Sequence, residues 1–245
     1  MKKVQWQSPP DDLTLRPHET HVWLGSFSKG IDHLQALFST LSGDERIRAE
    51  RLGDSELRAH FIIGRGWLRS ILARYLRIPA EAIQFCYGPQ GKPALDDNLH
   101  SSSIHFNLAH SGDKALFGIT QLSEIGVDIE WMKAFPGIDD IALRYFSTRE
   151  YSEYSQLPAG MKLRGFYNCW TRKEACLKAL GAGLAYPLDK FEVSLRPGQP
   201  AKILRMEDDL TATGQWALFD VPIHKDYAAT LAIDACETTL YYWQC

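Results

Sequence analysis

No apolar run in this 245-residue chain approaches the roughly 18 residues that a membrane span requires, so no membrane is expected as a partner. Met1-Lys2-Lys3 leads into Gln, Pro and Asp rather than an apolar segment, which predicts a protein without a signal peptide. Cysteine is sparse and scattered: Cys86, Cys169, Cys176, Cys236 and Cys245 are odd in number and form no Cys-x-x-Cys pair. That pattern excludes a disulfide framework and a thiolate zinc site and predicts free thiols in a reducing cytoplasm. Strong charge is also missing. Lys and Arg number 27 against 30 Asp and Glu, a net −3, which argues against a coat for nucleic acid or for an anionic membrane. There are no long linkers and no low-complexity tracts.

What remains is a chain with 45% hydrophobic residues, enough for a substantial core in one large domain or two small ones. Its charge is unevenly spread. Eight arginines (46, 48, 51, 58, 65, 69, 74 and 77) face only Glu50, Asp54 and Glu56 between Arg46 and Arg77. Ser55 to Leu76 has helical periodicity, with Phe61, Leu68, Ile71, Leu72 and Tyr75 on one apolar face and Arg58, Arg65 and Arg69 along its flank. Arginine is the side chain suited to phosphate forks, although a solvated face with its stems over the core needs the same pattern.

His21 to Phe27 alternates as a strand, and Ile31 to Leu41 reads as a helix. Ile83 to Tyr87 reads as a strand closed by the turn Gly88-Pro89-Gln90-Gly91-Lys92-Pro93, which leaves the Lys92 ammonium as a positioned charge. Ile104–Ala109, Ala115–Thr120 and Ile125–Trp131 are predicted to form an antiparallel meander through short turns. His110 and Ser111 sit together in the first of these turns. Adjacent residues rarely provide base–nucleophile geometry, so a serine-hydrolase triad is set aside in favour of a histidine that donates to phosphate. Phe135-Pro136-Gly137 marks a loop with docking potential, and Ser147 to Glu150 is a capping box opening a helix. The long helix that follows ends at Gly181, and the remainder is β, at 191–195, 201–204, 216–221, 228–233 and 240–243.

Two stretches organise the rest. In Gly126-Val127-Asp128-Ile129-Glu130, strand alternation puts Asp128 and Glu130 on one face, about 7 Å apart, where they repel unless a cation lies between them. In Phe166 to Leu180, Phe166, Trp170, Glu174 and Lys178 fall at four-residue steps along one helical stripe. Asp128, Glu130 and Glu174 together would give three hard oxygen ligands suited to Mg²⁺. A half-exposed strand beside a surface helix with an internal Glu174–Lys178 pair reads the same residues without a metal. Helices followed by β structure occur twice, which predicts an α+β fold of two similar halves. Each would carry an antiparallel sheet and a long helix, divided at 1–121 and 122–245, with a ligand cleft between them.

Gly91-Lys92-Pro93, Phe106 to Ser111 (FNLAHS), Gly126 to Glu130 (GVDIE) and Trp170 to Lys178 (WTRKEACLK) occur in the order found in 4′-phosphopantetheinyl transferases. The chain resembles the surfactin-synthetase-activating class, in which two pseudo-equivalent halves make a monomer. Ala109 stands where many relatives have serine. The resemblance covers roughly residues 46–193 and implies transfer of 4′-phosphopantetheine from coenzyme A to a serine of an apo acyl or peptidyl carrier protein, with adenosine 3′,5′-bisphosphate released. It implies Mg²⁺, with Mn²⁺ as a substitute, on Asp128, Glu130 and Glu174. Glu174 becomes the base, directly or through metal-bound water, and Lys178 and His110 hold phosphate oxygens. Lys92, Arg48 and Arg58 take the 3′-phosphate. Two rival classes are a metal-dependent nucleoside-polyphosphate pyrophosphohydrolase, which needs no acceptor protein, and a non-catalytic nucleic-acid-binding module using the arginine helix. The net negative charge and lack of an aromatic–basic pattern oppose the second.

Overall fold

The computed structural model describes residues 4–96, 99–100, 102–183, 186–206, 216–235 and 237–245, so Cys236 lies outside the described residues. Among the described residues seven α-helices run in chain order: α1 (Phe27–Gly30), α2 (Leu34–Ser39), α3 (Gly43–Arg51), α4 (Ser55–Leu76), α5 (Ile138–Tyr145), α6 (Thr148–Ser155) and α7 (Ala159–Leu180). The strands are β1 (Glu19–Ser26), β2 (Phe85–Tyr87), β3 (Pro93–Leu95), β4 (His105–Ser111), β5 (Lys114–Thr120), β6 (Ile125–Trp131), β7 (Phe191–Val193), β8 (Ile203–Met206), β9 (Trp216–Asp220), β10 (Tyr227–Asp234) and β11 (Thr239–Gln244). This is the expected α+β fold, with two 22-residue helices, α4 and α7, each lying on a sheet.

The helix ends follow local chemistry. The Asp54 carboxylate accepts the Leu57 N–H at 2.8 Å and starts α4, which Arg77 closes in the left-handed region at φ 56°. Gly181, at φ 65°, ends α7, and Ala182 N–H donates back to Leu177 O at 3.2 Å. At α6 the capping box is formed as the sequence predicts: Glu150 N–H donates to Ser147 Oγ at 3.1 Å, and Ser147 N–H donates to the Glu150 carboxylate at 2.8 Å.

The expected meander breaks after its second strand. β4 and β5 pair antiparallel in a sheet of order β11-β1-β5-β4, but β6 leaves for a second sheet of order β6-β10-β9. Instead of a ladder, Asn107 of β4 reaches across, and its side-chain Oδ1 accepts the Val127 N–H of β6 at 2.9 Å. The first sheet is also not wholly antiparallel, because β11 pairs parallel with β1, Glu19 opposite Thr239 through Leu24 opposite Gln244. In chain order α4 with β1, β4 and β5 precedes α7 with β6, β9 and β10, while β11 returns to the first sheet.

Packing gives four layers. Ile63, Leu68, Ile71 and Leu72 of α4 bury against Trp23, Phe106 and Phe117 on the outer face of the first sheet. The inner faces meet in one apolar cluster, Val22, Ala109 and Leu116 against Ile125, Val127, Ile129, Leu231 and Ile233. Each such aliphatic side chain, fully buried, contributes about 1.5–3 kcal/mol. The centre of the interface between the halves is thus an apolar seam, crossed by the Asn107–Val127 hydrogen bond, and the acidic residues lie at its rim. On the far side of the second sheet, Cys176, Leu177 and Ala179 of α7 pack with Ala228 and Ala232 of β10.

Candidate active site

Strand alternation in β6 sends Val127 and Ile129 into the seam, so Gly126, Asp128 and Glu130 face α7. Gly126 lets the helix come very close. A Cβ at this position would lie 2.0 Å from Ala175 O and 2.4 Å from Ala179 N, both backbone atoms of α7. The residues directly before these two, Glu174 and Lys178, are brought over the carboxylates of β6. Lys178 Nζ donates to Asp128 Oδ1 at 2.6 Å across that gap.

The first half contributes the turn after β4. Ser111 Oγ donates to Glu130 Oε2 at 2.8 Å and accepts the Trp131 N–H at 3.0 Å, which fixes the Glu130 carboxylate. Gly112 takes φ 54°, and Asp113 N–H donates to the Tyr227 hydroxyl at 3.3 Å, seating the turn on the end of β10. His110, at the mouth of this turn, meets Phe27 edge-on, with ring centroids 5.9 Å apart. Phe27 in turn stacks on His60 at 4.1 Å.

Charge in this rim is frustrated. Asp128 is buried, and the loss of water pushes its carboxyl up to about 7. Lys178 opposes the rise, while Glu130 and Glu174 add to it. Burial likewise raises Glu174, against Lys178 and with Glu130. It raises Glu130 too, with the Ser111 hydroxyl and Lys178 working the other way. His110 is exposed along one edge but crowded on the other. Lost hydration lowers its affinity for a proton, and the nearby His60 and Lys178 lower it further. Two buried carboxylate oxygens, Asp128 Oδ2 and Glu174 Oε1, have no hydrogen-bond partner. One ammonium among three acids leaves net negative charge, and the orphaned oxygens are donors of the hard type that a small divalent cation takes. Among the described residues no group of three or more His, Cys, Asp or Glu side chains is closed around a metal position as it stands.

The other predicted residues are placed differently. Arg48 is exposed, with its guanidinium 5.1 Å from the centre of the Phe61 ring. Arg58 is exposed and donates twice to Leu52 O, at 3.1 and 2.8 Å, tying the turn between α3 and α4. Lys92 donates to Glu124 Oε2 at 2.6 Å and to Ala179 O at 3.0 Å, so it braces the C-terminal turn of α7. Arg69 is buried on Glu45 at 2.6 Å, with carbonyls of Ala80 and Ile83, and Arg65 lies 3.6 Å from the same carboxylate. The arginine flank of α4 is therefore partly an internal ion-pair network. A cavity of about 690 Å³ opens elsewhere, beside Arg164, Asn168 and Arg172 of α7. Residues that the motifs did not single out include Ser111 as the partner of Glu130, Asn107, His60 and Phe27. For Gly126 the available signal was a residue without a side chain on the acidic face of an otherwise well-filled strand.

A buried aspartate and two half-buried glutamates gathered beside a lysine and a histidine form an acidic rim with unpaired carboxylate oxygens. The sequence comparisons identify the family. Residues 27–119 match the 4′-phosphopantetheinyl transferase N-terminal family, and residues 124–232 match the 4′-phosphopantetheinyl transferase superfamily. The chain is 37% identical to the 4′-phosphopantetheinyl transferase HetI of Nostoc sp. over 233 residues, 95% of each protein. It is 32% identical to the 4′-phosphopantetheinyl transferase Sfp of Bacillus subtilis over 66% of this chain and 69% of that one. This protein belongs to the 4′-phosphopantetheinyl transferase superfamily. A solved structure, the Thermotoga maritima holo-[acyl-carrier-protein] synthase, overlaps 44% of this chain and 61% of its own at 19% identity. Its TM-score of 0.37 is too slight a likeness to bear on mechanism.

Proposed function

We propose that the protein transfers 4′-phosphopantetheine from coenzyme A to a serine hydroxyl of an apo acyl or peptidyl carrier protein and releases adenosine 3′,5′-bisphosphate. The observation that carries this reading is the rim cluster: three acids, two with unpartnered buried oxygens, gathered on Lys178 by a helix and a strand that belong to this family. Phosphoryl transfer is mostly positioning and charge neutralisation, which is what such a cluster can provide.

Asp128, Glu130 and Glu174 would hold Mg²⁺, or Mn²⁺ in its place. When bound, the ion neutralises pyrophosphate charge and acts as a Lewis acid. Ser111 keeps one Glu130 oxygen occupied, so the other faces the cluster. Glu174, its proton affinity raised by burial, is suited to take the serine proton as the oxygen attacks phosphorus. Lys178 is then free to shift from Asp128 to the leaving bisphosphate, where negative charge builds up, and His110 donates to a phosphate oxygen. Arg48, Arg58 and Lys92 take the 3′-phosphate side, Lys92 by exchanging Glu124 for substrate. Both walls of the site come from one chain, which supports a monomer as the working unit. No described helix is long and apolar enough to cross a membrane, and the reading places the enzyme in the cytoplasm with its coenzyme and carrier proteins, without nucleic acid.

The test is incubation with coenzyme A, Mg²⁺ and a panel of apo-carrier proteins, read by intact mass. The expected result is a gain of one phosphopantetheine on the carrier serine. Release of adenosine 3′,5′-bisphosphate without any loaded carrier would favour a pyrophosphohydrolase instead.

A further inference from the structure

Directly before Glu174 in α7 stands a lysine that does not reach the site. Lys173 is 1% exposed, and its ammonium is enclosed by three oxygens: Glu150 at 2.8 Å, Leu188 O at 2.6 Å and Phe191 O at 2.5 Å. The Phe191 ring covers it at 4.4 Å. Glu150, equally buried, is saturated as well. Its Oε2 accepts the Ser147 N–H and its Oε1 accepts the Val193 N–H, both at 2.8 Å. One ion pair thus joins α7, the start of α6, the 188–191 turn and β7.

A buried pair of this kind is a poor source of net stability, because desolvation offsets the attraction and an apolar pair of similar volume often does as well. It is strongly directional, however. On a helix of 3.6 residues per turn, Lys173 projects about 120° around the axis from the Glu174–Lys178 stripe. The close contact at Gly126 sets how near α7 lies to β6. Its rotation is held by polar anchors: Arg172 on Asp220 and Ser194, Thr171 on Thr230, and the three fixed oxygens around Lys173.

We propose that the Lys173–Glu150 pair is a positioning device that sets the roll of α7 and so aims Glu174 and Lys178 at Asp128 and Glu130. Lys173 is a positioning residue and touches no reactant. The proposal rests on the transferase reading for its kinetic readout, while its structural readout is independent of that reading.

The test compares the parent protein with Lys173→Met and with the double variant Lys173→Met/Glu150→Gln. Lys173→Met alone strands the Glu150 carboxylate and should lower Tm markedly. The double variant removes both charges, and the single amide oxygen of glutamine can keep the capping box of α6 but cannot also accept the Val193 N–H, so part of the lost Tm should return. Activity should not return with it. A misplacement approaching 1 Å is expected to hold kcat roughly tenfold to a hundredfold down, while KM for coenzyme A stays within about threefold, because uniform binding is untouched. A crystal structure of the double variant should show Lys178 Nζ displaced from Asp128 Oδ1. Recovery of kcat in parallel with Tm, or an unchanged Lys178–Asp128 contact, would overturn the proposal. If the double variant does not fold, Glu150→Gln alone decides: reduced kcat at unchanged KM supports the pair as a positioner, and parental kcat refutes it. A parent protein that loads no carrier would defeat the functional reading and leave the crystallographic arm to judge the pair.

Discussion

Replacing Gly126 with alanine isolates the contact on which the whole site depends. The new methyl would stand 2.0 Å from Ala175 O and 2.4 Å from Ala179 N, where ordinary contact begins at 3.4 Å. Neither neighbour is a side-chain tip that can swing away, so α7 must retreat from β6 by more than 1 Å. Overpacking of this kind costs about 1–3 kcal/mol, which for a chain of this size lowers Tm by roughly 2–12 °C. Activity should fall much further, by about a hundredfold in kcat, since Glu174 and Lys178 move with the helix. Gly160→Ala serves as the control: it lies on the same helix with nothing within 4 Å of the added Cβ, and it should leave kcat unchanged. The assay is carrier loading by intact mass, with differential scanning calorimetry on both variants. A folded Gly126→Ala enzyme with the parental kcat would refute the claim that this close approach positions the site.

Burial raises the pKa of Asp128, Glu130 and Glu174, so the folded state holds their protons more tightly than the unfolded chain. Their contribution to stability is therefore full below about pH 4 and is lost as pH rises through the raised values, about 7 for Asp128. Mg²⁺ should accordingly raise Tm at pH 8 and hardly at pH 5; equal increments at both values would speak against a metal on these acids. Arg69→Ala leaves Glu45 buried without its closest partner, at a cost of about 3–5 kcal/mol. Tm should drop by about 6–20 °C with KM for coenzyme A unchanged, whereas a selective rise in KM would return Arg69 to the substrate. Arg58→Ala should raise KM for coenzyme A about ten- to a hundredfold, the value of a charge-assisted contact of about 1.5–3 kcal/mol. It should change KM for dephospho-coenzyme A little, and equal losses with both substrates would remove Arg58 from the 3′-phosphate role.

Periodicity made α4 legible to the residue: the apolar stripe of Ser55 to Leu76 spans the helix that the structure starts at the Asp54 cap. Gly181 likewise marks the end of α7, and Pro158, which separates it from α6, stands directly before its first residue, Ala159. α3 (Gly43–Arg51) and α5 (Ile138–Tyr145) were missed because one is dominated by charge and the other lies behind a Phe-Pro-Gly loop. Alternation placed Asp128 and Glu130 on one face, and four-residue spacing joined Glu174 to Lys178. That the strand and helix meet was not in either pattern. It depends on Gly126, whose meaning appears only against the backbone of another element. The arginine flank misled for a related reason. Periodicity puts Arg58, Arg65 and Arg69 side by side, but only tertiary contact shows that Glu45 takes two of them. The transfer of β6 to a second sheet was likewise invisible, since a short turn permits a ladder without requiring one.

The return of β11 to β1 has a kinetic side. Thr20 opposite Leu240 and Val22 opposite Tyr242 are partners separated by some 220 positions along the chain, among the longest loops this sequence can close. β1 can pair with β5 as soon as residues near 120 are available, yet its other edge stays bare until the final strand arrives. The first half therefore cannot finish folding ahead of the second, and closure of its sheet is a non-local, intrinsically slow event. An exposed strand edge of Val22, Trp23 and Leu24 during that wait is a template for pairing with other chains. The two halves look like a duplicated unit, but the molecule matures as one.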